Sequence, residues 1–280
     1  MLRLATVGEL RELVRQWQSL REDIAFVPTM GNLHAGHLAL IRAARAQCRR
    51  VVASVFVNPT QFGPGEDFAR YPRTPDEDAA QLAAAGCDAL FLPEVEEVYP
   101  FGLAAAARVE MPALTDMLCG SVRPGHFAGV ASVVLRLFHM VEPDVAWFGE
   151  KDYQQLLVIR RLALDLSMRV RVVGLPTVRE ADGLALSSRN QYLDAAQRNL
   201  APVLWQTLQR MREARRAGQS VGSVEAAAHV DLVAAGFVPD YAALRGADDL
   251  SPAQDPSNGA EIALVAARLG STRLIDNLRI

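Results

Sequence analysis

The chain has 280 residues, 50% apolar and 22% charged, with a net charge of −3 at neutral pH. That is the make-up of a globular protein of one large domain, or one large and one small, and it gives no electrostatic case for nucleic acid or an anionic membrane. No apolar run is long enough to span a membrane, Met1-Leu-Arg-Leu-Ala-Thr6 does not read as a signal peptide, and Cys48, Cys87 and Cys119 are too few and scattered for a disulfide framework or a cysteine metal site, so the cytoplasm is the expected compartment.

Residues 7–20 predict a short amphipathic helix, and the apolar run Ile24–Val27 predicts a buried strand that stops at Pro28. Gly31 supplies a turn, after which Leu38, Ile41 and Ala44 recur at helical spacing up to about Arg49-Arg50. Val51–Val57 is continuously apolar, as in a strand covered on both faces, and opens into the polar loop 58–67. A helix from Asp76 to Ala85, with Pro75 at its start, and a strand from Ala89 to Leu92 follow. Residues 102–111 carry no periodic pattern. Gly120–Gly129 reads as a second glycine-rich loop before an apolar helix, Val130–Val141. Then come a strand at 145–148, a polar loop Gly149-Glu-Lys151-Asp152, a helix bearing Gln154, Gln155, Leu156 and Ile159, and a strand at 170–175.

Strands alternating with helices predict an α/β, doubly wound parallel-sheet, Rossmann-like nucleotide-binding domain over residues 1–176. Beyond 176 the pattern changes. The loop 179–190 leads to a helix at 195–216, a helix at 223–235, and a hairpin of strands 262–268 and 272–276 turning at Gly270-Ser271. This predicts a smaller C-terminal α+β domain over residues 177–280. In such sheets the ligand lies at the C-terminal strand ends, where loops 28–37, 58–67, 149–152 and 176–189 fall.

The stretch Pro28-Thr-Met30-Gly31-Asn32-Leu33-His34-Ala35-Gly36-His37 stands out. A helix N-terminus offers free N–H groups and partial positive charge, which suit a phosphate. Gly36 lets a nucleotide approach the backbone without meeting a Cβ. Three residues apart, His34 and His37 share one face of the first turn and can donate to phosphate oxygens. Taken alone, either histidine reads better as an ordinary surface residue; the strand–glycine loop–His-x-Gly-His order reverses that and favours the phosphate reading.

With Ser187-Ser188-Arg189 late in the chain, this motif resembles the adenylyl-transfer superfamily that includes class I aminoacyl-tRNA synthetases. Four further stretches resemble the pantothenate synthetase (pantoate–β-alanine ligase) family. They are Val55-Phe-Val-Asn58-Pro-x-Gln61-Phe62, Gly125-His-Phe-x-Gly-Val130, Phe148-Gly149-Glu150-Lys151-Asp152-Tyr-Gln-Gln155 and Pro176-Thr-Val178-Arg-Glu-x-Asp-Gly-Leu-Ala-Leu186-Ser-Ser-Arg-Asn190. The resemblance runs from about residue 20 to the last hairpin. It implies ATP-driven condensation of (R)-pantoate with β-alanine through a pantoyl-adenylate, giving pantothenate, AMP and pyrophosphate.

By that resemblance His34, His37, Lys151, Ser187, Ser188 and Arg189 are the catalytic donors, with His37 the proton donor. ATP is bound by Met30–His37, Gly149–Asp152, Val178 and Leu186–Arg189. Gln61, Gln155, Asn58, Met30 and Phe62 hold pantoate and β-alanine. Neutral amides suit pantoate because they accept and donate without repelling its charge. Asp78 and Gln81, one turn apart, resemble the family's Mg²⁺-side positions, although Asp76-Glu77-Asp78 reads equally as acidic charge at a helix N-terminus. A homodimer is implied by the resemblance alone. Leu186 replaces a usual Met, a volume-conserving change, and Asn32 replaces a common Ala, with its side chain expected to cap or face solvent. His139 reads as core or surface filler, His126 as shaping its loop, and Trp17, Trp147 and Trp205 as packing, while His229 carries no assignment.

Rival readings are another His-x-Gly-His nucleotidyltransferase, which calls for more Lys or Arg around its substrate, and a nucleotide-binding module without turnover, which calls for loss of a histidine, the lysine or the Ser-Ser-Arg group. A nicotinamide-dependent oxidoreductase needs Gly-x-Gly-x-x-Gly after the first strand, and that motif is absent.

Overall fold

The computed structural model describes residues 1–255, 257 and 259–280. Contacts divide the chain into two compact units: Met1–Glu150 with Val158–Pro176, and Lys151–Leu157 with Thr177–Ile280. The first contains β1 (Leu2–Leu4), α1 (Val7–Ser19), β2 (Ile24–Thr29), α2 (Ala35–Gln47), β3 (Arg50–Val55), α3 (Pro75–Ala84), β4 (Ala89–Phe91), three single turns α4 (Val95–Val98), α5 (Pro112–Thr115) and α6 (Cys119–Val122), then α7 (His126–Val141) and β5 (Val145–Gly149). Helix α8 (Tyr153–Asp165) begins in the second unit's segment and ends in the first, which β6 (Arg171–Leu175) completes. The second unit continues with α9 (Ala195–Leu200), α10 (Val203–Arg216), α11 (Val221–Ala234), β7 (Val238–Gly246), β8 (Glu261–Leu269) and β9 (Thr272–Arg279).

Six parallel strands in the order β1-β4-β3-β2-β5-β6 form the first sheet. The chain winds outward from β2 through β3 to β4 and then returns to β5 beside β2. The order therefore reverses between β2 and β5, the crevice where such sheets bind ligands. Alternation along β2 sends Ala25 and Val27 to one face, against Leu40, Ile41 and Ala44 of α2 and Ala79 and Leu82 of α3. Phe26 points to the other face and meets Phe138 of α7 edge-on at 6.4 Å. Both faces are thus covered, which is why these strands read as unbroken apolar runs.

The second unit packs α10 and α11 on an antiparallel sheet, β7-β8-β9, with Leu204, Leu208, Leu232, Leu244 and Val265 in a common core.

Several elements differ from expectation. Strand β2 continues through Pro28 to Thr29, because β5 pairs only as far as Phe26 and leaves no partner on that side for the missing N–H. Helix α7 starts at His126 rather than Val130, after Gly125 in the left-handed conformation (φ 80°). The helix expected at 195–216 is two, because Pro202 has no N–H to continue the α9 ladder. Strand β1 was too short to predict. Strand β7 was hidden by Pro239 and Asp240, where the register slips between Pro239 and Tyr241 in a bulge.

Candidate active site

Strand β2 delivers the chain to a loop built on two consecutive left-handed residues, Gly31 (φ 82°) and Asn32 (φ 50°). Only glycine fits at 31, since an added Cβ would lie 2.9 Å from both Asp78 Oδ2 and Val55 Cγ1. Asparagine tolerates the left-handed region better than alanine, which accounts for Asn32 in physical terms. The loop is pinned from outside by α3. The buried Asp78 carboxylate accepts from Asn32 N (2.9 Å) and Leu33 N (2.8 Å).

His34 is the N-cap of α2 and His37 its third residue. Each ring caps through Nδ1: His34 Nδ1 accepts from Gly36 N (3.1 Å), and His37 Nδ1 accepts from His34 N (3.3 Å). This is a capping box made of imidazoles in place of Ser and Glu. Its partners assign the tautomers: with Nδ1 accepting in each ring, the hydrogen of the neutral imidazole is on Nε2. The rings lie 4.0 Å apart, centroid to centroid, with 31° between their planes.

Gln61, at the end of the 3-10 turn Pro59–Gln61 beyond β3, is buried and held at both ends of its amide. Its Oε1 accepts from Asn58 Nδ2 (3.1 Å) and its Nε2 donates to Met30 Sδ (3.0 Å). Asn58 in turn accepts from Tyr99 Oη (2.7 Å) and donates to Gly129 O (3.3 Å). Gly129 must be glycine here, because a Cβ would meet Thr60 O at 2.3 Å. Phe62 packs with Phe68 and Tyr71 at centroid distances of 5.4 and 6.0 Å.

Sequence reasoning missed the clamp on this loop. Arg123 forks onto Glu66, with two bonds of 2.6 Å, and its Nη1 lies 2.9 Å from His126 Nε2. A guanidinium only donates, so His126 accepts at Nε2 and donates from Nδ1 to Gln61 O at 2.8 Å. His126 thus ties its loop to the main chain of Gln61. Burial alone would raise the Glu66 carboxyl, but Arg123's hydrogen bonds and charge outweigh it and hold the group at about 2, against an ordinary value of 4.5. A lowered carboxyl stabilises the fold in full above its unfolded value and loses that contribution as pH falls through its folded value. The thermal midpoint difference between the parent and Glu66→Gln should therefore be constant from pH 8 to 5 and shrink from about pH 4.5 toward 2. A pH-independent difference would refute this role.

Asp78 and Gln81 lie one turn apart on α3. Both Asp78 oxygens accept main-chain N–H groups, and among the described residues no cluster of three or more His, Cys, Asp or Glu is placed to hold an ion.

Gly149 closes β5, and the 3-10 turn Glu150–Asp152 begins beyond it. Within the second unit, Lys151 Nζ lies 3.7 Å from Asp152 Oδ1, and Gln155 is half-buried on the first turn of α8. Val178 O accepts from Leu186 N (3.0 Å), closing a hairpin that presents Ser187. Ser187 caps the 3-10 turn Ser188–Tyr192, its Oγ accepting from Arg189 N (3.3 Å). Met30, Gly31–His37, Gln61, Asn58 and Phe62 thus gather at the C-terminal ends of β2 and β3, while Lys151, Gln155, Val178 and Leu186–Arg189 belong to the second unit.

A parallel sheet with an imidazole-capped helix at its switch point defines a nucleotide-binding α/β protein of the His-x-Gly-His type. More narrowly, the chain belongs to the pantoate–β-alanine ligase family, whose model matches residues 3–279. It is 54% identical, over 98% of each chain, to the pantothenate synthetase of Xanthomonas euvesicatoria pv. vesicatoria. Among solved structures it is similar to the pantothenate synthetase of Thermus thermophilus (53% identity, 99% of each chain, TM-score 0.92). It is also similar to the Francisella tularensis pantoate-β-alanine ligase in complex with β-γ ATP and β-alanine (31% identity, 100% of this chain and 97% of that one, TM-score 0.84).

Proposed function

We propose that this chain condenses (R)-pantoate with β-alanine at the expense of ATP. A pantoate carboxylate oxygen bonds to the α-phosphorus, the bridging bond to the β-phosphate breaks, and pyrophosphate leaves. The uncharged amine of β-alanine then attacks the acyl carbon of pantoyl-adenylate, the bond to the adenylate oxygen breaks, AMP leaves, and the amine's proton passes to solvent. Family membership over residues 3–279 carries this reading.

In-line attack at phosphorus asks for positioning and for donors to the charge growing on phosphate oxygens. The Nε2–H groups of His34 and His37 meet that need at the start of α2, with the helix's free N–H groups behind them. Lys151, Ser187, Ser188 and Arg189 supply further donors to the same triphosphate, and main chain at Gly149 and Val178 holds the nucleoside. Gln61 and Gln155 hold pantoate, with Asn58 fixing the Gln61 amide and Met30 and Phe62 packing the gem-dimethyl group. Mg²⁺ would supply neutralisation of the triphosphate charge; on this chain Asp78 and Gln81 are the residues the resemblance offers for it, and because both Asp78 oxygens already accept main-chain N–H groups, most of its shell would fall to phosphate oxygens and water.

The acyl-adenylate must be kept from water, and we assign that task to the second unit. No helix among the described residues is long and apolar enough to cross a membrane, and all three cysteines are buried. A cytoplasmic setting is part of the proposal, and a fluorescent fusion found outside the cytoplasm would refute it. A homodimer, proposed on the family resemblance alone, is checked by light scattering for the mass of two chains.

Pyrophosphate exchange into ATP, with a panel of carboxylates, tests the chemistry. Exchange should depend on pantoate and proceed without β-alanine. Exchange that requires β-alanine, or that proceeds equally with other acids, would overturn the two-step scheme.

A further inference from the structure

Strand β9 reaches two segments at once. Its alternation places Leu274, Asp276 and Leu278 toward the second unit's core and Asn277 and Arg279 toward the opposite face. On that opposite face Asn277 Nδ2 donates to the main-chain oxygen of Lys151 (2.9 Å), and Arg279 donates to Tyr153 Oη (2.9 Å). Tyr153 Oη donates in turn to Ala247 O (2.8 Å). The turn carrying Lys151 is therefore hung from the strand at two points.

On the core face Asp276, only 4% exposed, receives a fork from Arg179, with bonds of 2.6 and 2.9 Å. Arg179 also donates to Gly183 O (3.0 Å) and Asn277 O (3.2 Å) and stacks on Trp205, 3.7 Å from the ring centroid. Gly183 lets the hairpin lie against that ring, since a Cβ there would come within 2.1 Å of Trp205 Cδ1. This hairpin, closed by the Arg179–Ala185 bridge, leads directly into Ser187. Burial pushes the Asp276 carboxyl up, and the Arg179 fork opposes that rise. An acid this buried, paired to a stacked arginine, makes costly packing unless its geometry matters.

We propose that Asp276 and Asn277 are positioning residues for adenylate formation: Asn277 fixes the main chain at Lys151, Asp276 through Arg179 fixes the hairpin bearing Ser187–Arg189, and one strand thereby sets the spacing between the lysine and the serines. The proposal rests on the reading that Lys151 and the serine pair act on the triphosphate. Neighbouring residues of a strand point to opposite faces, so two side chains one position apart tie down two otherwise separate loops. Small displacements of such groups cost rate steeply, ~10²-fold for about 1 Å.

A double-mutant cycle tests this through pyrophosphate exchange and thermal midpoints. Asn277→Ala removes the donor and should lower kcat by ~10-fold or more, with the KM for pantoate unchanged. Lys151→Ala should lower kcat by ~10²-fold. In the Lys151→Ala background, Asn277→Ala should cost nothing further, because its effect passes through the absent side chain. The same factor with and without Lys151, or no effect in either background, would overturn the proposal. Should Asn277→Ala fold poorly, Asn277→Asp keeps the shape and swaps the donor for an acceptor, with the same expected pattern. Arg179→Lys, which keeps the charge and loses the fork, should likewise be non-additive with Ser188→Ala. A Lys151→Ala variant turning over at the parental rate would refute the site assignment itself, and is told apart from the other failures by that single measurement.

Discussion

Replacing His37 with alanine should reduce pantoate-dependent pyrophosphate exchange by about 10²–10³-fold, the usual loss when one donor to a developing phosphate charge is removed. Alanine also deletes half of the helix cap, since His37 Nδ1 accepts from His34 N. A cap of this kind is worth about 1 kcal/mol, so the fold should survive with a modestly lower thermal midpoint. His37→Gln separates the two roles. Glutamine is a natural partner at the third position of a capping box and still carries an N–H donor, but it does not transfer a proton. The glutamine variant should regain the thermal midpoint. Recovered exchange would assign His37 to hydrogen-bond donation, and persistent loss would assign it to proton transfer. Near-parental exchange in the alanine variant would remove His37 from the site.

The second large effect belongs to Asp78, and it falls on the fold and the site together. Asp78→Ala leaves the main-chain N–H groups of Asn32 and Leu33 without the carboxylate in a buried setting. Each such loss costs about 1–3 kcal/mol, so the pair should lower stability by several kcal/mol and exchange by at least ~10-fold as the loop before His34 shifts. Asp78→Asn turns one acceptor into a donor facing an N–H and should be nearly as damaging. This distinguishes a loop pin from a metal ligand. If Asp78 pins the loop, both variants melt earlier and added Mg²⁺ does not restore activity. An unchanged thermal midpoint with activity recovered at high Mg²⁺ would instead make Asp78 a ligand.

What the sequence disclosed and what it withheld follow a physical divide. The strand–turn–helix around His34 and His37 was legible because each step leaves a local mark: an apolar run, a glycine, and helical spacing after it. The parallel sheet was legible for the same reason, its strands being apolar on both faces. Asp78 left no such mark of its hold on the loop before His34. Within its own helix it reads as N-terminal charge, and its partners are backbone groups 45 and 46 residues away. Nothing in the residue types records a bond to a main-chain N–H. Glu66 and Arg123 were hidden similarly, 57 residues apart and each unremarkable in its own loop. Strand β7 was lost to its bulge, and the α9–α10 break was a missed reading of Pro202, a signal that was present. Long-range ties between a side chain and a distant main chain are what a single sequence keeps to itself.

The imidazole cap on α2 carries a further implication. Each ring gives its Nδ1 lone pair to a main-chain N–H, and that bond keeps the hydrogen of the neutral ring on Nε2. Tautomer and backbone order are thus set by one latch: displacing either main-chain N–H would let the ring carry its hydrogen on the other nitrogen.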